Sequence, residues 1–127
     1  MNNPDYTKNS EVIKRFLDFI SSSETTYKCE QETIDTENKR TQDLLHAIEF
    51  EPHAEVRSKT ATKLKLSRKT RRMSKDIVEE LEPIIDFLNV PQNRKVINQL
   101  SQVLGQVRKA EKYHTNRRYF PRVEPWK

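Results

Sequence analysis

The chain has few of the residues that build turns, disulfides and large cores. Among its 127 residues there is one glycine, Gly105, and one cysteine, Cys29. A lone cysteine cannot form an intrachain disulfide, and one glycine cannot build the glycine-rich loops that bind phosphates or position a catalytic serine. With 33% hydrophobic and 34% charged residues, the chain has little material for a spherical core, so an elongated shape is favoured.

Long apolar runs are missing as well. No stretch of about 18 apolar residues occurs, and residues 1–10 have neither the basic region nor the apolar region of a signal peptide. Together with the lone cysteine, these absences predict a cytoplasmic protein that has no membrane partner.

Apolar residues at helical spacing predict a single all-α domain over residues 1–127. Pro52 occupies a position typical of a helix start, and the segment Asn89-Val90-Pro91 should end the second helix. We expect a flexible tail over residues 1–9 and three helices over residues 10–50, 52–88 and 92–113. A basic-aromatic tail follows over residues 114–127. The capping-box spacing from Ser21 to Glu24 predicts a break near residues 21–23, and Pro83 predicts a kink in the second helix.

Two seven-residue repeats indicate that the first two helices pair. The repeating positions are Ile20, Tyr27, Ile34, Thr41 and Ile48 in the first helix and Val56, Lys63, Thr70, Ile77 and Ile84 in the second, supported by Leu66, Met73, Leu81 and Leu88. If the chain turns back near residues 51–52, position i faces a position of about 103 minus i. The predicted fold is a long antiparallel helical hairpin, a coiled-coil-like stalk.

The third helix has a wide apolar stripe that needs a partner surface. The stripe consists of Val96, Leu100, Val103, Val107 and Ala110, widened by Ile97 and Leu104. The hairpin register places Phe16, Leu17 and Ile20 beside Ile84, Ile85 and Leu88 at the open end. We therefore expect the C-terminal helix to pack there and form a three-helix head that carries most of the stability.

A run of basic residues in the second helix has two interpretations. Between Glu55 and Asp76 there are nine basic residues and no acidic one. The hairpin register sets this run against an acidic stretch of the first helix that includes Glu32, Asp35 and Glu37, which favours intramolecular ion pairs. Alternatively the outward-facing members form a partner-binding surface, and these are Arg57, Lys65, Arg68 and Arg72.

The C-terminal tail combines arginine with aromatic residues, as binding hot spots and nucleic-acid stacking platforms do. Its candidate partner-binding residues are Arg117, Arg118, Tyr119, Phe120, Arg122 and Trp126. The alternative is that Tyr119, Phe120 and Val123 fold back onto the head.

The sequence offers no catalytic constellation. His46, His53 and His114 lack metal-ligand spacing, and Cys29 stands too far from them for a zinc motif. We therefore predict no catalytic residues, no metal site, no cofactor and no enzymatic activity.

Two segments, LSRKTRRMSKDIVEELEPIIDFLN and LGQVRKAEKYHTNRRYFPRV, resemble the C-terminal halves of small proteins encoded by phages and prophages of Gram-positive bacteria. The resemblance covers about half of the chain. It implies a phage accessory protein expressed in the bacterial host cell, and proteins of this kind act by binding a host or phage macromolecule.

Two functional hypotheses follow. The first is a protein-binding inhibitor or adaptor, directed for example at a host defence or replication factor. The second is a DNA- or RNA-binding protein that uses the basic face of the second helix and the arginine-aromatic tail, consistent with a net charge of +5. The heptad repeats add the expectation of a weak homodimer.

Overall fold

The computed structural model describes residues 8–118 and 122–123. It contains three helices, α1 (Asn9–Phe50), α2 (Ala54–Leu88) and α3 (Pro91–Asn116), and the described residues include no strand. The all-α prediction is therefore confirmed. The bounds of the helices differ from the predicted ones by at most three residues, because residues 114–116, assigned to the tail, form the last turn of α3.

The predicted break near residues 21–23 is wrong, because α1 is one continuous helix of 42 residues. Ser22 and Ser23 donate hydrogen bonds from their hydroxyls to the carbonyl oxygen of Phe19, at 3.1 and 2.7 Å. Serine can make this bond inside a helix as well as cap a new one, so the capping-box spacing alone is ambiguous.

Short connections join the helices. At the hairpin tip, the Arg57 guanidinium donates to the carbonyl oxygen of Glu51 at 2.9 Å. At the second connection, the side-chain amide of Asn93 donates to the carbonyl oxygen of Phe87 at 3.0 Å, and Pro91 begins α3. The helix α2 continues through Pro83 to Leu88, so the proline does not end it.

Side-chain hydrogen bonds show that α1 and α2 are antiparallel. Ser74 donates to Glu30 and Ser67 donates to Glu37, each over 2.7 Å. The two residue numbers in each pair add up to 104, within one residue of the predicted register. The hairpin prediction is confirmed, and its register follows from the position of the tip.

The predicted inner face of α2 is wrong in the half nearest the tip. There the seam consists of Leu64, Ser67, Arg71 and Ser74, whereas Lys63 and Thr70 are exposed. Val56 is 45% exposed, and Leu66 and Met73 are each 58% exposed. Ser67 and Ser74 occupy the seam, in place of Leu66 and Met73, because they donate hydrogen bonds to carboxylates of α1. Toward Leu88 the predicted positions Ile77, Leu81 and Ile84 are half-buried as expected.

The helix α3 packs on the open end of the hairpin and is also antiparallel to α1. Arg94 pairs with Glu24 at 2.8 Å, and Ser10 donates to Glu111. Contact with α1 is more extensive than contact with α2. The two buried apolar side chains of the described residues, Leu88 and Leu104, both lie in this part of the molecule.

The α3 stripe is rotated from its predicted centre. Its inner positions are Ile97, Leu100, Leu104 and Val107, while Val96 remains 57% exposed and Val103 40% exposed. Ala110 is exposed too, and so is Phe16 of α1, at 45%. Because α3 packs mainly against one neighbouring helix, it cannot bury both edges of so wide a stripe.

Candidate functional site

The helix α2 positions the basic run along the side of the hairpin. The run extends from Arg57 to Lys75 and lies within one helix. At 3.6 residues per turn, its members point in several directions around α2. Their surroundings therefore determine which of them are available to a ligand.

The carboxylates of α1 that face α2 are engaged by serine, not by the basic run. Glu37 is 8% exposed and accepts hydrogen bonds from Ser67 of α2 and from Arg40 of its own helix. Glu30 accepts from Ser74, which is 3% exposed. These hydrogen bonds engage the buried Glu37 and the half-buried Glu30 without a cation from α2.

The expected ion pairs between the acidic and basic stretches are not formed. All of α1 and α2 is described, and no ion pair joins the two helices. One residue of the basic run does reach across the seam, since the Arg71 guanidinium donates to the side-chain oxygen of Asn38 at 2.6 Å. The interpretation of the run as the ionic half of the hairpin is therefore wrong.

Four exposed cations of α2 form what we call the basic face: Lys65, Arg68, Lys69 and Arg72. Their spacing of three, four and seven residues places them on one side of the helix. No hydrogen bond or ion pair joins any of the four to another described residue. Three of the four predicted binding residues of α2 are thus brought together here.

The fourth predicted residue, Arg57, does not belong to the basic face. It is half-buried and its guanidinium is bound to the carbonyl oxygen of Glu51 at the hairpin tip. The sequence could not indicate this, because the bond depends on the path of the chain around Pro52. Lys69, which is not among the binding residues predicted from the sequence, is the fourth member of the basic face.

The predicted tail site is only partly described. Arg117, Arg118 and Arg122 are exposed. Tyr119, Phe120 and Trp126 lie outside the described residues, so the predicted arginine-aromatic combination is not tested. Val123 is 72% exposed, which does not support the alternative in which it folds back onto the head.

The structure does not join the C-terminal arginines to the basic face. The end of α3 lies beside Ser10 of α1 through Glu111, whereas the basic face lies beside Asn38. Ser10 and Asn38 are 28 residues apart on α1, about 42 Å at 1.5 Å per residue. The basic face is therefore a separate surface.

Three polar contacts, none of them predicted from the sequence, hold the helices at the open end. The hydroxyl and backbone N–H of Ser10 both donate to Glu111, at 2.6 and 3.0 Å, and these bonds lower the pKa of Glu111. The hydrogen bond and charge of Arg94 lower the pKa of Glu24. The Tyr27 hydroxyl donates to Glu82 at 2.6 Å, which raises the pKa of Tyr27.

Other kinds of site find little support in the described part of the chain. Within residues 8–118 and 122–123, no group of three or more His, Cys, Asp or Glu side chains is arranged to hold a metal ion. Among the same residues, no helix combines the length and apolarity needed to cross a membrane. Cys29 is exposed on α1.

Comparison with family models, curated proteins and solved structures finds no match to this chain.

Proposed function

We propose that this protein binds nucleic acid, without catalysing a reaction, through the basic face of α2. The observation that carries the proposal is that Lys65, Arg68, Lys69 and Arg72 are exposed on one side of a helix and pair with no described carboxylate. Like charges three and four residues apart repel one another along a helix. A phosphate backbone laid against them relieves this repulsion and releases its own counterions.

The dimensions of the face fit a phosphate backbone. From Lys65 to Arg72 the helix rises about 10 Å, and duplex DNA carries one charge per about 1.7 Å of its axis. Arginine can bind phosphate oxygens through two parallel N–H donors, whereas lysine acts as a point charge. Contacts of this kind position a protein on nucleic acid but do not read its sequence.

Salt dependence tests the proposal. Fluorescence anisotropy with a labelled duplex of mixed sequence, between about 50 and 200 mM salt, gives the slope of log K against log salt. Four phosphate contacts predict a slope of about −3.6. Changing Arg68→Gln together with Arg72→Gln should weaken binding and reduce the magnitude of the slope by about two.

A matched control removes the same charge elsewhere. Lys28 and Lys39 are exposed on α1, so Lys28→Gln with Lys39→Gln lowers the net charge equally. If this control loses as much affinity as the α2 variant, binding depends on net charge and the proposed face is wrong. If the wild-type protein fails to bind the duplex at about 50 mM salt, a protein ligand becomes the better hypothesis.

A host or phage protein with an acidic surface is the alternative ligand for the same face. Carboxylates would replace phosphates opposite Arg68 and Arg72, and an inhibitor or adaptor role would follow. A protein ligand has no condensed counterion layer, so the steep linear salt slope expected for duplex DNA would be absent.

A further inference from the structure

Two rows of apolar side chains are exposed at the open end of the molecule. In α1 the row is Val12, Phe16 and Phe19, which are 55%, 45% and 50% exposed. In α3 the row is Val96 and Val103, at 57% and 40%. We refer to these five residues as the apolar face.

The two rows lie on the same side of the α1–α3 pair. The other side is marked by a cleft between the helices, lined by Glu11 and Lys14 of α1 and by Arg108 and Lys112 of α3. At 3.6 residues per turn, the row on α1 lies roughly 140° around its helix from that cleft, and the row on α3 roughly 150° around its own. Both rows therefore point away from the cleft.

The apolar face continues an interface that already exists within the chain. Val12, Phe16, Phe19 and Ser23 follow one another along α1 at spacings of four, three and four residues. Ser23 is only 3% exposed, and the register of the hairpin sets it opposite Leu81 of α2. The register of the hairpin places Leu88, the last residue of α2, opposite Phe16, so the same side of α1 is open from there toward Val12.

The local charge of this face allows a second copy of the chain to cover it. Net charge is +5, so two copies repel each other over much of their surface. The five residues of the apolar face have no charge, and the adjoining row on α3, consisting of Gln92, Gln99 and Gln106, is also uncharged, whereas Lys8 and Arg15 adjoin the face on α1. In a two-fold contact each patch meets its own equivalent, which an uncharged patch allows and a strongly basic patch does not.

We propose that the apolar face packs against the same face of a second copy of this chain. The contact brings α1 and α3 of one copy onto α1 and α3 of the other, as in a four-helix bundle. Phe16 and Phe19 are the central anchors, since aromatic side chains bury the largest apolar area.

Sedimentation equilibrium over a range of subunit concentrations tests the dimer. The wild-type protein should show a reversible monomer–dimer equilibrium. Phe16→Glu or Val103→Glu should raise the dissociation constant by about tenfold or more, because each places a charge where an apolar side chain was buried. Both residues are exposed in the single chain, so the helical circular dichroism signal should be retained.

The matched controls are Leu66→Glu and Met73→Glu. Both residues are 58% exposed on α2, outside the apolar face, so the dissociation constant should be unchanged. If Phe16→Glu perturbs folding, the milder Val103→Ser provides the same test. A wild-type protein that stays monomeric up to about 1 mM overturns the proposal, as does dissociation by the α2 controls to the same extent.

Failure of the dimer and failure of nucleic-acid binding can be told apart. Phe16 and Asn38 are 22 residues apart on α1, about 33 Å, and the basic face lies beside Asn38. A Phe16→Glu monomer should therefore still bind duplex DNA with the salt slope of a single basic face, whereas Arg68→Gln with Arg72→Gln should leave the dimer intact.

Discussion

At the scale of single residues, serine and glutamate are the partners that define the α1–α2 seam. Ser67 and Ser74 are 4% and 3% exposed and donate to Glu37 and Glu30. The sequence shows the glutamates and the register, but it presents serine as an ordinary surface residue. A buried carboxylate needs hydrogen-bond donors, and a hydroxyl on the facing helix supplies one without bringing a second charge into the seam.

Glu111 is a residue whose titration should affect stability. Its carboxylate accepts two hydrogen bonds from Ser10, which is 6% exposed, at the start of α1. These bonds hold the pKa of Glu111 below its ordinary value of 4.5. A carboxyl whose pKa is lower in the folded state stabilises the fold above the unfolded-state pKa, and this contribution is lost as the pH falls through the folded-state pKa.

Glu111→Gln should therefore be less stable than the wild type near neutral pH, and the difference should shrink below about pH 4.5. Urea unfolding followed by circular dichroism at a series of pH values measures it. Glu79→Gln is the control, because Glu79 is exposed and makes no hydrogen bond or ion pair with another described residue. A pH-independent difference for Glu111→Gln would show that the Ser10 contact does not depend on the charge.

At the scale of helices, the sequence predicts the bounds and register well and the faces less well. Pro91 is the first residue of α3, α2 starts at Ala54, two residues after Pro52, and the tip near Pro52 sets the register of the hairpin to within one residue. The inner face of α2 was assigned by its apolar residues. An assignment by apolar residues fails near Leu66 and Met73, because the opposing residues of α1 are carboxylates. These carboxylates accept hydrogen bonds from serines of α2, which therefore occupy the inner face.

The end of α2 should contribute most to stability, because Leu88 is 1% exposed, less than any other apolar side chain among the described residues. Leu88→Ala should lower the free energy of unfolding by about 2 to 5 kcal/mol. Leu66→Ala removes the same atoms from a side chain that is 58% exposed and should change it by no more than about 0.5 kcal/mol. Equal losses for both variants in urea unfolding would contradict the burial pattern.

At the scale of the whole molecule, two surfaces with different chemistry are separated along α1. The basic face lies beside Asn38 and the apolar face contains Phe16. The sequence shows the basic residues, and it predicted that Lys65, Arg68 and Arg72 face outward. It could not show that they lack intramolecular partners, because that depends on which side chains the facing carboxylates of α1 bind.

Because the basic face is unpaired, reversing its charge should not lower the melting temperature. Arg68→Glu with Arg72→Glu lowers the formal net charge from +5 to +1. The new carboxylate at position 68 stands three residues from Lys65, and the one at position 72 stands three residues from Lys69 and from Lys75. Opposite charges at this spacing stabilise a helix by about 0.2 to 0.5 kcal/mol per pair, while positions 68 and 72 repel each other with either sign of charge. The melting temperature should therefore stay the same or rise slightly, while binding to duplex DNA should be lost.

Thermal unfolding by circular dichroism, with anisotropy on the same samples, measures both effects. Adding Glu32→Lys and Asp35→Lys to the reversed protein should not raise the melting temperature, because neither residue forms an ion pair with α2. If the reversal lowers the melting temperature and these two changes restore it, then the basic face is paired within the hairpin in solution. In that case Arg68 and Arg72 contribute to the fold, and α2 does not present them as a phosphate-binding surface.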